Sequence, residues 1–427
     1  MQWAGRVFGP FGWLVEALQT QLPHPLSLLR LTADVDRIGL ANGYFSESLN
    51  ADGSIPFIPV EKSIVETWEY PQLAELLVYT PLAVLFWSIA HILSDKIIGA
   101  VASFLLKLRK VSTISKLPAS FAALSPQTVE KTLGVELELL EKQGSTLPKK
   151  SRVRELAKKL CVSVEDCGVW FRHRRQEKRH AMKVAKFVES AFRFWAYGSL
   201  WYFNCQLLLN SDYFADTSRN WLSWPMQEVT VSQKLFYILQ CALNVHLLVW
   251  HLLYDERKKD FVVMLVHHVV TISLISFSYA FNYLRIGIWV TFCHDVTDVL
   301  MEVAKLHKYL GFASAANVIF ALFTVSWLVF RLFLFPFRAI ASIVTDYATL
   351  QGGEMSVFQY GFVSFLLILQ CMHIYWFVLI MRIVVTTIVT GEAEDNRTDD
   401  GDDADEKADF QEDAEPVVDQ LPDKKND

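Results

Sequence analysis

The chain has 427 residues, 52% of them hydrophobic and 13% aromatic, a richer apolar load than an ordinary soluble domain carries, which argues against a purely soluble enzyme or binding module. Its formal net charge of −6 conceals two blocks of opposite sign. Residues 391–427 hold 16 acidic and 4 basic side chains, a net of −12, so the remainder is +6, and residues 107–193 alone carry 20 Lys and Arg against 9 Asp and Glu. The six cysteines show neither a second pair at zinc-finger spacing nor a disulfide framework.

In chain order, residues 1–70 read as an N-terminal region on the lumenal side. Met1 to Leu22 is apolar but broken by Arg6, Pro10 and Glu16, and it lacks the basic start and unbroken core of a secretory signal. Residues 71–110 hold a first apolar run, Leu73–Leu93, and its basic flank. A soluble-looking insert at 115–179 follows. Within it Ser125-Pro126 is a helix start with proline at the first helical position, and short helices are expected over Gln127–Leu133, Lys150–Leu160 and Ser163–Arg179. Residues 180–390 contain six further apolar runs: Phe187–Leu209, Leu235–Tyr254, Phe261–Phe281, Tyr283–Ala304, Phe312–Phe335 and Val357–Thr390. Each has at least the roughly 20 residues needed to cross a hydrocarbon core. The expected fold is therefore an all-α polytopic membrane protein with about seven spans and a small helical cytosolic insert. Residues 391–427, charged and poor in apolar side chains, are expected to be a disordered tail.

Basic residues in short loops set the orientation. Lys107, Arg109 and Lys110, the loop Asp255–Asp260, and Lys305 with Lys308 fall on one side if the chain crosses seven times. That side is the cytosol, which puts the N-terminus in the lumen and the tail in the cytosol. A glycosylation sequon at Asn396-Arg397-Thr398 is then out of reach of the transferase. Arg331, Arg338 and Arg382 sit near the ends of apolar runs and are expected to snorkel to headgroups. The aromatic residues after Trp327 read as lipid-facing surface and packing.

Charged and polar groups inside the bilayer are costly and usually serve a purpose. His267, His268, Thr271, Ser278 and Asn282 lie on the fourth span, and His294, Asp295, Asp298 and Glu302 on the fifth. A short turn joins these spans, so they are antiparallel neighbours and both clusters lie toward the cytosolic ends. Two histidines can thus meet two carboxylates. Histidine can take a proton from an amine or attack a thioester, and an aspartate on its other nitrogen would fix its tautomer. Structural contacts between helices, or a metal held by His267, His268 and Asp295 or Asp298, are competing readings. Adjacent histidines point about 100° apart on a helix, which disfavours the metal.

The run His267-His268-Val-Val-Thr271, then Ser278-Tyr279, Asn282, Arg285 and Gly287, then His294-Asp295-Val-Thr-Asp298, Glu302 and Ala304-Lys305 resembles the signature motif of ceramide synthases. Trp221 with Pro225, the approach Asp255 to Phe261, the set Gln370, His373 and Trp376, and the tail segment Asp395 to Asp399 are similar to the family's flanking features. The resemblance covers roughly Tyr70 to Asp399. It implies an endoplasmic reticulum membrane protein whose last six spans form a TLC-type bundle, transferring a fatty acyl group from acyl-CoA to the amine of a sphingoid base. Acyl-CoA is then a substrate, and no cofactor or metal is expected. The catalytic residues implied are His267, His268, Asp295 and Asp298, with His267 preferred as acyl carrier. Thr271, Ser278, Asn282, Arg285, His294 and Glu302 are expected to bind substrate or support the site.

Other partners implied are membrane lipid and a second family member in a homo- or heterodimer. The tail's Thr398 fits a phosphorylation site only loosely. The segment Phe337–Met355 corresponds to a family loop that influences acyl-chain length, and an apolar tunnel lined by the fourth and fifth spans is expected to open to the cytosol near His267.

Trp170-Phe171-Arg172-His173-Arg174-Arg175 resembles the homeodomain W-F-x-N-x-R core, as in the Hox-like insert of animal ceramide synthases. His173 replaces the adenine-reading asparagine, and the insert is short and tethered between spans. Packing by Trp170 and Phe171, with arginines toward anionic lipid or the membrane bundle, is therefore preferred to DNA binding. The rival functions are a TLC-type protein that binds, senses or moves lipid without catalysis, which need not keep two histidines and two aspartates, and a membrane-tethered DNA-binding regulator.

Overall fold

The computed structural model describes residues 71, 73–108, 119–142, 148, 150–346 apart from 223, 226, 256 and 258, and 357–390. The readings of the first 70 residues and of the tail, including Asn396 and Thr398, fall outside these. The described residues form helices and turns: α1 Leu73–Leu108, a 3₁₀ turn Ala119–Ala123, α2 Pro126–Val129, a π-helical turn Glu130–Gly134, α3 Val135–Lys142, α4 Lys150–Leu160, α5 Val164–Leu209, α6 Val231–Leu253, α7 Phe261–Ala280, α8 Leu284–Tyr309, α9 Ala313–Ser326, a π-helix Trp327–Ile340, α10 Ala341–Val344 and α11 Val357–Thr390.

Helices occupy all seven expected places. Five are long and apolar enough to cross a membrane: Leu73–Lys107, Val231–Leu253, Phe261–Ala280, Ala313–Val344 and Gln359–Val389. The chain is a polytopic membrane protein. α8 falls outside that group because it carries charge, and α5 because its apolar half is diluted by Ser199, Asn204 and Gln206. α8 holds Arg285, Asp295, Asp298, Glu302 and Lys305, and α5 is charged through its first half. Leu77, Leu82, Leu85 and Ile92 on α1 are exposed, as side chains facing lipid would be.

Three expectations need correction. The third insert helix does not stop at Arg179 but runs unbroken as α5 to Leu209. No proline, and only Gly168 and Gly198, interrupts those 46 residues, so nothing ends the helix where polarity changes. The first insert helix continues past Leu133 through α3. Finally, Phe337–Val344, read as the start of a loop, are helical, and 347–355 lie outside the described residues.

The chain divides into two compact units. Among the described residues, one comprises those up to Leu93 together with Phe192–Val303 and Val318–Val378; the other comprises Ser94–Ala191, Ala304–Asn317 and Leu379–Thr390. In the second, the insert has its own core of Phe121, Val129, Leu133, Leu156, Ala157, Leu160, Cys167, Trp170 and Phe171. Trp170 and Phe171 therefore pack, as expected. Arg174 pairs with Glu130 at 2.6 Å and lies over the Trp170 ring, and Arg152 makes two hydrogen bonds to Glu136 at 2.9 and 2.8 Å. Those bonds hold the Glu136 carboxyl below its ordinary range. The Cys167 thiol is pushed up to about 11 by burial, so it is a packing group and not a nucleophile.

In the first unit, a reciprocal cap starts α6: the Thr230 side chain accepts from the Gln233 backbone and the Gln233 side chain accepts from the Thr230 backbone. Two residues past the end of α7, Asn282 has a φ of 55°, in the left-handed region that asparagine tolerates. Gly287 opens α8 against α6. A Cβ there would collide with the Tyr237 hydroxyl and crowd Ser278, so this close helix approach requires glycine.

Candidate active site

α7 and α8 bring the expected residues into the first unit, but hydrogen bonding divides them into two groups. The lower group is structural. Ser278 Oγ lies 2.7 Å from the Tyr237 hydroxyl and donates to the Tyr283 carbonyl at 2.8 Å. Asn282 Nδ2 donates to the carbonyls of Pro225 and Gln227 at 2.7 and 3.2 Å, and Arg285 donates to the carbonyl of Arg219 at 3.1 Å. These bonds pin the loop after α5 to the α7–α8 turn. Ser278, Asn282 and Arg285 thus build the corner of the bundle at the α7–α8 turn, apart from the histidines.

The upper group surrounds His267 and His268. The His267 ring lies 5.8 Å from that of His268 and meets Trp376 edge-on at 5.2 Å. Nδ1 of both histidines is buried without a hydrogen-bond partner, as is the Thr271 hydroxyl one turn further along α7. His268 is flanked by His251 at 5.8 Å. The two ring nitrogens of His251 face Asp255 Oδ2 at 2.9 Å and the Phe261 carbonyl at 3.1 Å. Both oxygens are acceptors, so whichever ring nitrogen carries hydrogen has a partner.

The carboxylates have other partners than the expected ones. Gln240 Nε2 lies 3.1 and 3.3 Å from the two oxygens of buried Asp295. Asp298 accepts from Arg331 Nη2 at 2.6 Å, and the same nitrogen reaches the His294 carbonyl at 3.0 Å. The expected aspartate on the other ring nitrogen of His267 or His268 is therefore not present at Nδ1. A buried carboxylate takes the donor nearest in its own layer, here an amide and a guanidinium. His294 turns away from α7: its Nε2 lies 3.0 Å from Nε2 of His373, and its ring packs on Phe335. Glu302, four residues past Asp298, is fully buried. Among the described residues no three His, Cys, Asp or Glu side chains converge as a metal ion would need.

Residues 186–382 match the TLC domain family. A ceramide synthase of Arabidopsis thaliana, LOH2, is 39% identical over 228 residues, covering 52% of this chain and 77% of the relative. Human ceramide synthase 3 is 32% identical over 307 residues, 70% of this chain and 78% of the relative. Human ceramide synthase 5 is 33% identical over 257 residues, 59% of this chain and 64% of the relative. The chain belongs to the ceramide synthase family.

Within a ceramide synthase bundle, Arg331 is the residue that sequence reasoning placed most wrongly. It is 3% exposed, with its guanidinium 4.1 Å from the Trp327 ring centre, and it does not snorkel to a boundary. Trp327, Phe335 and Trp376 are buried around the same histidines and are not lipid-facing. Gln240 also went unnoticed: one amide in an apolar run carries little signal until its partner is known.

A second buried pair was likewise missed. His91 Nδ1 lies 3.1 Å from His246 Nε2, and His246 Nδ1 lies 3.1 Å from Ser88 Oγ, with Phe192 stacked on His91 at 4.2 Å. The recurrence of His at 91, 246, 251, 267 and 268 inside apolar runs was the available clue.

Proposed function

We propose that this chain is an acyl-CoA-dependent N-acyltransferase of the endoplasmic reticulum, forming a ceramide or dihydroceramide from a sphingoid base. Seven crossings are proposed, with α5 from about Phe187 and α8 as the two charged spans, the N-terminus lumenal and the tail cytosolic. Family membership supports the activity, since the relatives from Arabidopsis thaliana and human are ceramide synthases. The observation that carries the chemistry is the pair His267, half-buried, and His268, buried, each with its Nδ1 atom buried and unpaired.

A sphingoid amine must lose a proton before its lone pair can attack the thioester carbonyl. The C–N bond forms as the C–S bond breaks, and the coenzyme A thiolate leaves and takes up the proton. An imidazole with a free nitrogen can accept the amine's proton. It can also take the acyl group first, as an acyl-imidazole that the amine opens. We assign these roles to His267 and His268, with His267 as acyl carrier. Asp295 and Asp298, held by Gln240 and Arg331, are assigned to fixing the bundle's charge balance around the transferring group. His294, Glu302 and Thr271 are assigned to support. The acyl-CoA and sphingoid tails are placed along α7 and α8.

Microsomes expressing wild type, His267→Ala and Asp298→Ala, supplied with sphinganine and a panel of acyl-CoAs, test the reading. Loss of a proton-transfer group should lower the rate by about 10²–10⁴-fold. Activity surviving both substitutions would remove the site assignment. Wild type that forms no amide at any chain length would leave a lipid-handling membrane protein.

A further inference from the structure

Nδ1 of His294 lies 2.6 Å from the Val290 carbonyl oxygen, and its Nε2 lies 3.0 Å from Nε2 of His373. A carbonyl only accepts, so Nδ1 of His294 carries hydrogen. The neutral ring then has a bare Nε2, and His373 must donate to it from its own Nε2. That leaves a bare lone pair on Nδ1 of His373. Complete burial of His373, and the Arg331 cation already bonded to the His294 carbonyl, favour uncharged rings. Nδ1 of His373 is thus a fixed acceptor, buried and without a partner.

One turn along α11, the indole Nε1–H of Trp376 can only donate, and it too is buried and unpaired. The Trp327 ring packs against both, at 5.9 Å from His373 and 6.4 Å from Trp376. Trp376 in turn stands edge-on to His267. The unpaired Thr271 hydroxyl, one turn from His267 on α7, adds a group that can donate or accept. Each such group left unmet costs about 1–3 kcal/mol, so each calls for a polar partner that the protein does not itself supply. The chemistry selects which. An ammonium only donates and would leave the indole N–H unmet. A carbonyl oxygen only accepts and would leave Nδ1 of His373 unmet. A hydroxyl does both; the deprotonated amine could as well, but its lone pair is committed to the thioester carbonyl.

We propose that His373, Trp376 and Thr271 form a subsite that binds a head-group hydroxyl of the acceptor base and so sets its amine beside His267. This rests on the N-acyltransferase reading above. The three are specificity-determining residues for the acceptor, distinct from the groups that move the proton.

The test compares three acceptors of equal chain length at saturating acyl-CoA: sphinganine, 1-deoxysphinganine and 3-deoxysphinganine. Trp376→Phe keeps an aromatic ring and removes the N–H, at some loss of packing volume that falls on all acceptors alike. It should raise KM for sphinganine about tenfold, the effect of one lost hydrogen bond, relative to KM for one of the two deoxy bases. Thr271→Val should shift the same ratio, and it carries the comparison alone if Trp376→Phe fails to accumulate in the membrane. Equal losses for all three acceptors, or none, in the variants that accumulate would overturn the subsite and leave a water-filled or purely structural patch. Wild type inactive on every base would instead overturn the functional reading itself.

Discussion

Arg331→Met tests whether the bundle depends on its buried ion pair. Arg331 is 3% exposed and donates to Asp298 at 2.6 Å and to the His294 carbonyl at 3.0 Å. Methionine fills most of the volume but takes the Arg331 cation away from the Asp298 carboxylate. Breaking a buried pair from one side costs about 3–5 kcal/mol. The Asp298 side chain keeps 22% of its surface exposed, so its charge is partly relieved and the lower end, about 3 kcal/mol, is expected. Asp298→Asn should cost a similar amount by stranding Arg331. The double variant removes both charges, and since a neutral replacement of a buried pair is often harmless, it should be more stable than either single variant. Purified protein in mixed micelles, titrated with SDS and followed by tryptophan fluorescence, gives the midpoints. Single substitutions that leave the midpoint unchanged, or whose losses simply add in the double variant, would refute the argument.

Gly287→Ala should cost about 1–3 kcal/mol in the same titration, because the added methyl has to displace the Tyr237 hydroxyl; a wild-type midpoint would contradict that close approach. Trp170→Ala should cost the insert about 3–5 kcal/mol and expose the segment from Phe121 to Phe171 to limited proteolysis, with the membrane bundle still protected. The Glu136 carboxyl, held low by Arg152, stabilises the folded insert above its unfolded-state pKa, and that contribution disappears as pH falls through the lower folded value. Protease resistance of the insert should accordingly decline in acid, and Glu136→Gln should flatten the decline.

The helices were legible because apolar runs of bilayer length leave few alternatives, and the two histidines and two aspartates stood out because polar groups in such runs are rare. Their pairing was not legible. Whether Asp295 meets His267 or Gln240 depends on the rotation of three helices about their axes, which periodicity within one helix does not report. Arg331 misled for a related reason. It lies near the end of an apolar run, where snorkelling is the usual solution, yet the helix around it has π geometry, and Arg331 lies buried within that segment. The unbroken α5 was hidden by composition, since a helix can pass from charged to apolar surroundings without any residue that stops it.

The π-helix Trp327–Ile340 bears on how this gene can change length. Pro336 within it lacks the N–H that would close the backbone ladder, and the wider turns accommodate the gap. Each residue turns a helix by about 100°. Deleting a single codon here would swing Trp327 and Arg331 away from their neighbours relative to Ile343 downstream. Insertions and deletions should therefore be purged from this stretch even where single amino-acid replacements are tolerated.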